Sequence, residues 1–206
     1  MLQTLAKGGP VMIPLGVCSV LALAVFLERI WYYWRTRSDS NAVIASVREP
    51  LKQGNYLEAL QIAKQAPGPY AGLLSAGVAY ADKGREQMQA QLELAAQAEI
   101  QQMERGLGVL STITTVSPLL GLLGTVTGII KSFAVLSGFQ GIESPAALSA
   151  GIAEALITTA AGLTIAIPSA AAFDWFNAIV NRRVQEMNKA GNIIMDVVSE
   201  HKGEEQ

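Results

Sequence analysis

Residues 106–136 read GLGVLSTITTVSPLLGLLGTVTGIIKSFAVL, a run in which Lys131 is the one charged side chain. A membrane-spanning helix needs about 20 consecutive, mainly apolar residues, so this run is long enough to cross a bilayer. Two further apolar runs occupy about Val11–Trp34 and Pro145–Val180. The sequence therefore predicts an all-α integral membrane protein with three transmembrane helices and helical extensions in the cytoplasm.

The composition supports a membrane protein and speaks against several other classes. Half of the 206 residues are apolar and 16% are charged, whereas about a quarter are charged in ordinary soluble domains. The net charge of −2 gives no basic footprint for nucleic acid. A single cysteine, Cys18, and a single histidine, His201, exclude a disulfide framework and give a zinc site or a histidine-based triad no support. We therefore expect no catalytic residues, cofactor or metal.

The connection between the first two spans is polar and has the pattern of a helical region. Residues after Gly54 fit an amphipathic helix, and Pro67, Gly68 and Pro69 make a firm turn. The stretch 85–105 is rich in Gln, Glu, Ala and Leu, all strong helix formers. We expect one long helix that begins in the cytoplasm and passes straight into the second span.

The third apolar run is longer than a bilayer requires. Ser144 and Pro145 form a good helix start, with a hydroxyl N-cap before a proline at the first helical position. Roughly 36 residues at about 1.5 Å each give roughly 54 Å, whereas the hydrocarbon core is about 30 Å thick. We therefore expect this helix to protrude into the cytoplasm.

The basic residues orient the three spans. Most of them lie in the connection after the first span and in the segment after the third, whereas Lys7 alone precedes the first. The positive-inside rule then places the N-terminus in the periplasm, and the connection and the C-terminus in the cytoplasm. The expected segments are 1–37 (N-terminal periplasmic piece and first span), 38–105 (cytoplasmic helical region), 106–137 (second span), 138–144 (periplasmic loop), 145–180 (third span) and 181–206 (cytoplasmic helix and tail).

Small and hydroxyl side chains form a stripe along the second span. They follow three- and four-residue steps, which places them on one helical face, and Gly124 and Gly128 form a GxxxG pair that permits close helix contact. We expect this face to line a polar lumen or a tight interface. The alternative is that each hydroxyl bonds to its own backbone and merely packs. The stripe comprises Ser111, Thr115, Pro118, Thr125, Gly128 and Ser132.

Glu154 is the most informative residue, because it lies well inside the third span. An acid at such depth costs about 2.5–3.5 kcal/mol on insertion scales, and intramembrane acids mark ion paths by default. Thr158 lies one turn further on, and Thr159 lies on the adjoining face. A carboxylate and hydroxyls together can hold ordered water that a proton crosses. The alternative is a structural acid that binds a neighbouring subunit.

Other charged residues lie near the ends of the spans. Glu28 and Arg29 fall near the inner boundary of the first span, and Lys131 falls near the outer boundary of the second. Long side chains at such places snorkel to water, which is the interpretation we adopt for them. Asp174, beside Trp175, is expected at the inner interface of the third span.

The second and third spans contain two long, ordered motifs. Residues 117–129 read SPLLGLLGTVTGI, residues 151–163 read GIAEALITTAAGL, and Ala-Ile-Pro follows at 166–168. These stretches resemble the second- and third-span motifs of the ExbB/TolQ branch of the ExbB/TolQ/MotA proton-channel family. The spacing of the spans, with the large connection after the first, resembles that family as well. The resemblance covers nearly the whole chain.

The resemblance implies a homopentameric ring around a central pore in the bacterial inner membrane. Two copies of a single-span ExbD- or TolR-like partner would place their helices in that pore, where a partner aspartate takes up and releases protons. Thr125, Glu154 and Thr159 match pore-facing positions of the motifs, whereas Asp174 departs from the asparagine that the family often has. The expected proton path comprises Thr125, Glu154, Thr158, Thr159, Ser111, Thr115 and Pro118, and the expected packing residues are Gly124, Gly128, Gly151 and Gly162.

The resemblance favours a motor subunit that couples proton flow to motion of the partner. That motion would energise outer-membrane transport, envelope maintenance or surface motility, through a TonB/TolA-like or motility effector. The alternative is a passive oligomeric scaffold or ion channel in which Glu154 is structural. A membrane enzyme would need a nucleophile, a base and a metal, and the sequence shows no such constellation. Flagellar MotA-type stators have four spans, so that branch fits less well.

Overall fold

The computed structural model describes residues 8–37, 39–137 and 145–204 of the chain. All regular structure in these residues is helical. The N-terminal piece 1–7, the loop 138–144 with its Ser144 cap, and residues 205–206 lie outside the described residues. The helices are α1 (Met12–Arg35), α2 (Ser40–Lys52), α3 (Tyr56–Gln65), α4 (Tyr70–Ala79), α5 (Arg85–Glu104), α6 (Leu107–Ser137) and α7 (Pro145–Glu204).

Three of these helices, α1, α6 and α7, are long and apolar enough to cross a membrane. The predicted number of apolar membrane helices is therefore confirmed among the described residues. Helix α7 is a single helix of 60 residues, and it continues without a break past residue 180. At about 1.5 Å per residue it is far longer than a hydrocarbon core of about 30 Å.

The chain divides into two compact units, and the first consists of residues up to Glu28 together with Gly106–Trp175. It contains most of α1, all of α6 and the first half of α7. Leu15, Leu110 and Ala155 are buried in its interior. Large apolar side chains cover its outside, where they are exposed, as expected of surfaces that contact lipid tails rather than water.

The second unit consists of Arg29–Arg105 and Phe176–Gln206. Helices α2 to α5 pack with the end of α1 and the last part of α7. Its helices begin at residues that the sequence marks for the purpose, since the Asp39 side chain accepts a hydrogen bond from the Asn41 N–H at the start of α2 and Asn55 caps α3 in the same manner.

The core of the second unit joins α4, α5 and α7. A Cβ built on Gly77 of α4 would lie 3.1 Å from Leu92 Cδ2 of α5 and 3.3 Å from Ile194 Cγ2 of α7. Met88 and Ile194 are almost completely buried. Near the start of α4, the Tyr70 hydroxyl donates to Glu186 Oε2 at 2.7 Å, which ties α4 to α7 a second time.

The prediction of one continuous helix from the connection into the second span is wrong. Helix α5 ends at Glu104 and α6 begins at Leu107, because Gly106 adopts a φ of 80°, a left-handed conformation that stops a right-handed helix. The carbonyls freed at the end of α5 have partners within the second unit. Arg29 Nη1 donates to the carbonyls of Gln102 and Met103 at 3.1 Å each, and the Tyr33 hydroxyl donates to that of Met103 at 2.8 Å.

Arg29 therefore does not snorkel to water as predicted. Its side chain is 2% exposed and binds backbone carbonyls instead. A buried guanidinium needs such acceptors, because an unpaired buried charge is costly. The arginine thus acts as a side-chain cap for the last turn of α5, which has no N–H partners of its own for its final carbonyls.

Candidate functional site

The charged centre of the first unit is an ion pair between α6 and α7. Lys131 Nζ lies 2.5 Å from Glu154 Oε1. The side chain of Glu154 is 18% exposed, and that of Lys131 is 52% exposed. The interpretation of Lys131 as a snorkelling side chain did not include this partner, because its ammonium binds the carboxylate of the other helix.

The carboxylate of Glu154 also meets the segment that precedes α1. Gly9 there has a φ of 68°, which glycine adopts without the penalty that a Cβ brings. A Cβ built on Gly9 would overlap Glu154 Oε1 and would lie 2.8 Å from its Cδ. A larger residue would displace the carboxylate from this position, so the segment approaches the ion pair through its backbone.

Helices α6 and α7 touch through small residues, in a contact that we call the seam. A Cβ built on Gly128 would lie 2.8 Å from the carbonyl oxygen of Gly151, and one built on Gly162 would lie 2.5 Å from that of Ser117. Both neighbours are backbone atoms, which cannot turn aside as a flexible side chain can. The seam comprises Ser117, Gly121, Gly124, Gly128 and Ser132 of α6 with Gly151, Ala155, Thr158, Thr159 and Gly162 of α7.

All four glycines predicted to pack helices lie in the seam. Besides Gly128 and Gly162, the other two, Gly124 and Gly151, are covered by side chains. A Cβ on Gly124 would overlap the Thr158 side chain, and one on Gly151 would overlap Ser132 Oγ. We expected the small-residue face to line a polar lumen or a tight interface, and in a ring of subunits that interface could lie between neighbouring chains. The structure instead uses these glycines between two helices of one chain, so they are not available to a neighbouring subunit.

Two threonines predicted in the proton path belong to the seam. Thr158 is 0% exposed, and its hydroxyl donates to the carbonyl of Ala155 at 2.9 Å in its own helix. The hydroxyl of Thr159 donates across the seam to the carbonyl of Gly121 at 3.0 Å. Thr159 stays partly exposed. The structure therefore places Thr158 inside the helix pair and Thr159 at its edge.

The polar stripe of α6 does not keep to one face. Gly128 lies 13 positions after Thr115, and at about 100° per residue this places the two roughly 140° apart round the helix. Gly128 and Ser132 are accordingly buried in the seam, whereas Thr115 is exposed. The hydroxyl of Thr125 donates to the carbonyl of Leu122 at 2.6 Å. The partly exposed members are Ser111, Pro118 and Thr125.

Sequence reasoning missed the partner of Glu154 and part of the seam. The clue to this partner was that Lys131 and Glu154 lie at similar distances from the loop between their helices. Lys131 lies about two turns before the end of α6, and Glu154 lies about two and a half turns after the start of α7. The signal for the seam was a row of small residues at steps of four, three and four. That row is Ser117, Gly121, Gly124 and Gly128.

Ser117 is the unusual member of the seam. It is 0% exposed, and its Oγ has no hydrogen-bond partner among the described residues. Buried hydroxyls in proteins nearly always find a partner. Its place beside Gly162 follows from its backbone, whose carbonyl oxygen makes the close approach.

Asp174 lies apart from both the seam and the ion pair. Asp174 is exposed, next to a Trp175 side chain that is also exposed. Within residues 8–37, 39–137 and 145–204, no group of three His, Cys, Asp or Glu side chains is placed to hold a metal ion. The Lys131–Glu154 pair is thus the site on which a functional interpretation rests.

Comparison with known proteins gives a consistent result. Residues 65–189 match the profile of the MotA/TolQ/ExbB proton channel family. A Synechocystis protein named biopolymer transport protein ExbB-like 1 is 37% identical over 191 residues, which is 91% of this chain and 74% of that protein. An ExbB biopolymer transport protein of Vibrio cholerae is 28% identical over 88% of this chain and 81% of its own length. The Tol-Pal system protein TolQ of Haemophilus influenzae is 41% identical over 50% of this chain and 43% of its own length.

Proposed function

The chain belongs to the MotA/TolQ/ExbB proton channel family, and from this membership we propose that it is the pore-forming subunit of a proton-driven motor in the bacterial inner membrane. Five copies form a ring, and the pore of the ring holds two copies of a single-span ExbD- or TolR-like partner. Proton flow drives motion of the partner, which passes to a TonB/TolA-like or motility effector. The family is one of transport components, so we propose no catalytic role.

The observation that carries this proposal is the placement of Glu154. Its carboxylate lies inside an apolar helix that is long enough to span a membrane, and it is 18% exposed. Intramembrane acids are rare because they are costly, and they mark ion pathways. A unit charge that crosses 100 mV releases about 2.3 kcal/mol, which is a sufficient energy scale for a motor.

The seam restricts where a proton path can lie. Its backbones are in contact and Thr158 is sealed inside it, so no room for a chain of water molecules remains between α6 and α7 of one subunit. In the proposed ring, the path runs along the partly exposed side of α6 and past Thr159. The α6 residues proposed to line it are Ser111, Thr115, Pro118 and Thr125.

The proposed orientation follows the basic residues. The N-terminus and the loop 138–144 face the periplasm, while the second unit and the C-terminus face the cytoplasm. The names of the relatives, biopolymer transport and Tol-Pal, favour energised outer-membrane transport or envelope maintenance as the load, with surface motility as the third possibility.

A passive scaffold or ion channel is the second candidate. The Lys131–Glu154 pair favours it, because both charges are satisfied within one chain and Glu154 then has a structural role. The two candidates differ in their dependence on the partner. A motor conducts protons only with its partner subunit bound, whereas a channel conducts without it.

The test is proton flux into liposomes under an imposed gradient, with and without a single-span ExbD- or TolR-like partner. We expect flux that depends on the partner and that falls strongly in Glu154→Gln when normalised to assembled complex. Glu104→Gln, the same change at an exposed position, is the matched control. Native mass spectrometry should give five copies of the chain. Partner-independent flux, or a full rate in Glu154→Gln, would favour the passive alternative.

A further inference from the structure

The Lys131 ammonium pairs with Glu154 although its side chain is long enough to reach water. Its side chain is 52% exposed, and a lysine near the end of a span can place its ammonium in water at little cost. The ammonium instead lies 2.5 Å from Glu154 Oε1. The ammonium has three N–H donors. It can therefore bind the Glu154 oxygen with one of them while the others remain accessible to solvent.

The seam fixes the two helices at the level of the pair. Ser132 follows Lys131, and its side chain lies against Gly151. Ala155 follows Glu154 and lies 2.9 Å from a Cβ built on Gly128. Neither helix can slide along the other without breaking these contacts. The backbone positions of Lys131 and Glu154 are therefore fixed relative to each other, within reach of the two side chains.

The segment before α1 closes the third side of the carboxylate. Gly9 lies directly against Glu154 Oε1, and a Cβ on Gly8 would lie 3.3 Å from Ile157 Cγ2 of α7. Val11 and Leu15 are buried within the same unit. Gly8 and Gly9 thus lie against α7 at the point where the ammonium of Lys131 holds the Glu154 carboxylate.

We propose that Lys131 is a positioning residue, whose ammonium holds the Glu154 carboxylate against Gly9 and thereby latches residues 8–11 onto α7. Both charges are needed for the latch, because loss of Lys131 leaves a largely buried carboxylate without its cation, and loss of Glu154 removes the group that the ammonium holds against Gly9. The consequence for proton movement rests on the proposed function: a carboxylate that is held in place keeps its position beside the path through each turnover.

The latch is tested by the accessibility of a buried position in the segment. Val11→Cys in a Cys18→Ser background places one thiol under the latch, in the full chain assembled with its partner. Its rate of reaction with a small thiol reagent reports opening of the segment. The variants are Lys131→Met, Glu154→Gln, the two combined, and Lys131→Arg. Lys189→Met, at an exposed position near the C-terminus, is the control for loss of a lysine.

We expect each single neutral variant to raise the labelling rate about tenfold, equivalent to about 1.4 kcal/mol, and the combined variant to raise it no further, because the two residues act as one pair. Lys131→Arg should label near the wild-type rate and retain flux, while Lys131→Met loses partner-dependent flux as Glu154→Gln does. If Lys131→Met fails to assemble, Lys131→Gln takes its place.

Wild-type labelling in Lys131→Met, or effects of the two single variants that multiply in the combined one, would overturn the proposal. The two readouts also separate the latch from the function that it serves. The wild-type protein could lack partner-dependent flux while the single and combined variants still show the expected labelling rates. That result would contradict the motor function and support the latch.

Discussion

The backbone of Gly128 lies against the carbonyl of Gly151, and a Cβ built on Gly128 would lie 2.8 Å from that oxygen. Lipid tails are as apolar as leucine, so helices in a membrane gain little from the hydrophobic effect and associate through close packing instead. The close approach of these two glycines therefore holds α6 and α7 together, and with them the positions of the charges on either side.

Gly128→Ala should destabilise the protein, because the added methyl group meets backbone atoms that cannot move aside. We expect a loss of about 1–3 kcal/mol, the usual cost of overpacking, measured as a lower unfolding temperature in detergent. Gly108→Ala in the same helix is the matched control, since a Cβ there meets nothing within 4 Å. Equal stability of the two variants would show that the seam is looser than described.

Arg29→Met should destabilise the second unit more than Tyr33→Phe does. The arginine serves the carbonyls of both Gln102 and Met103, while the tyrosine hydroxyl serves one. Removal of a neutral hydrogen bond costs about 0.5–1.5 kcal/mol, and bonds to charged groups are worth about 1.5–3 kcal/mol. Thermal unfolding compares the two, with Arg37→Met at an exposed position as control. The reverse order would mean that Arg29 does not cap α5.

Thr159→Val and Thr125→Val should affect different properties. The Thr159 hydroxyl bonds across the seam to Gly121, so its loss should lower stability by about 1 kcal/mol. The Thr125 hydroxyl bonds within its own helix, so its loss should leave stability within about 0.5 kcal/mol and reduce partner-dependent flux through the proposed path. Unfolding and flux are measured on the same preparations. Unchanged flux in Thr125→Val would remove Thr125 from the path.

Stability should fall at alkaline pH because of Tyr70. Burial, together with the hydrogen bond to Glu186, raises the pKa of Tyr70 from 10.0 to about 12. Between these two values the unfolded chain carries the phenolate while the folded chain keeps the proton, so stability declines as pH rises through that window. Tyr70→Phe should show a smaller drop in unfolding temperature between pH 9 and pH 11 than the wild type does. Tyr80→Phe is the matched control, and an undiminished drop in Tyr70→Phe would contradict the assignment.

The proposed orientation can be checked by thiol labelling in the Cys18→Ser background. Gly141→Cys, in the loop outside the described residues, should react with an impermeant reagent added to intact cells from the periplasmic side. Gln89→Cys, exposed on α5, should react only after the membrane is opened. The reverse pattern would overturn the positive-inside argument.

The sequence alone is sufficient for the three apolar helices and the turn at Pro67–Pro69, because these depend on local composition. It also leads to the family, since two motifs lie in the second and third spans in the correct order. Each of these features is contained within one segment of the chain, so no contact between distant residues has to be known.

The errors and omissions concern contacts between segments. Lys131 and Arg29 were both interpreted as snorkelling side chains, because a sequence shows how far a charge lies from the end of a span but not which group faces it. The break at Gly106 was missed because the residues on both sides favour a helix. The stripe on α6 was assigned to one face because its residues follow steps of three and four. Over several turns such steps drift round the helix, so the stripe leaves that face.

The last part of α7 completes the core of the second unit, and this fixes the order in which that unit can form during synthesis. Gly77 lies beside both Leu92 of α5 and Ile194 of α7, and the ribosome adds Ile194 102 residues after Leu92. At about 5–20 residues per second, this interval lasts roughly 5–20 s. Throughout it the helices before the second span have an uncovered apolar surface, and two more spans must be inserted before that surface is buried. The newly made chain therefore depends on its C-terminal end to leave an aggregation-prone state.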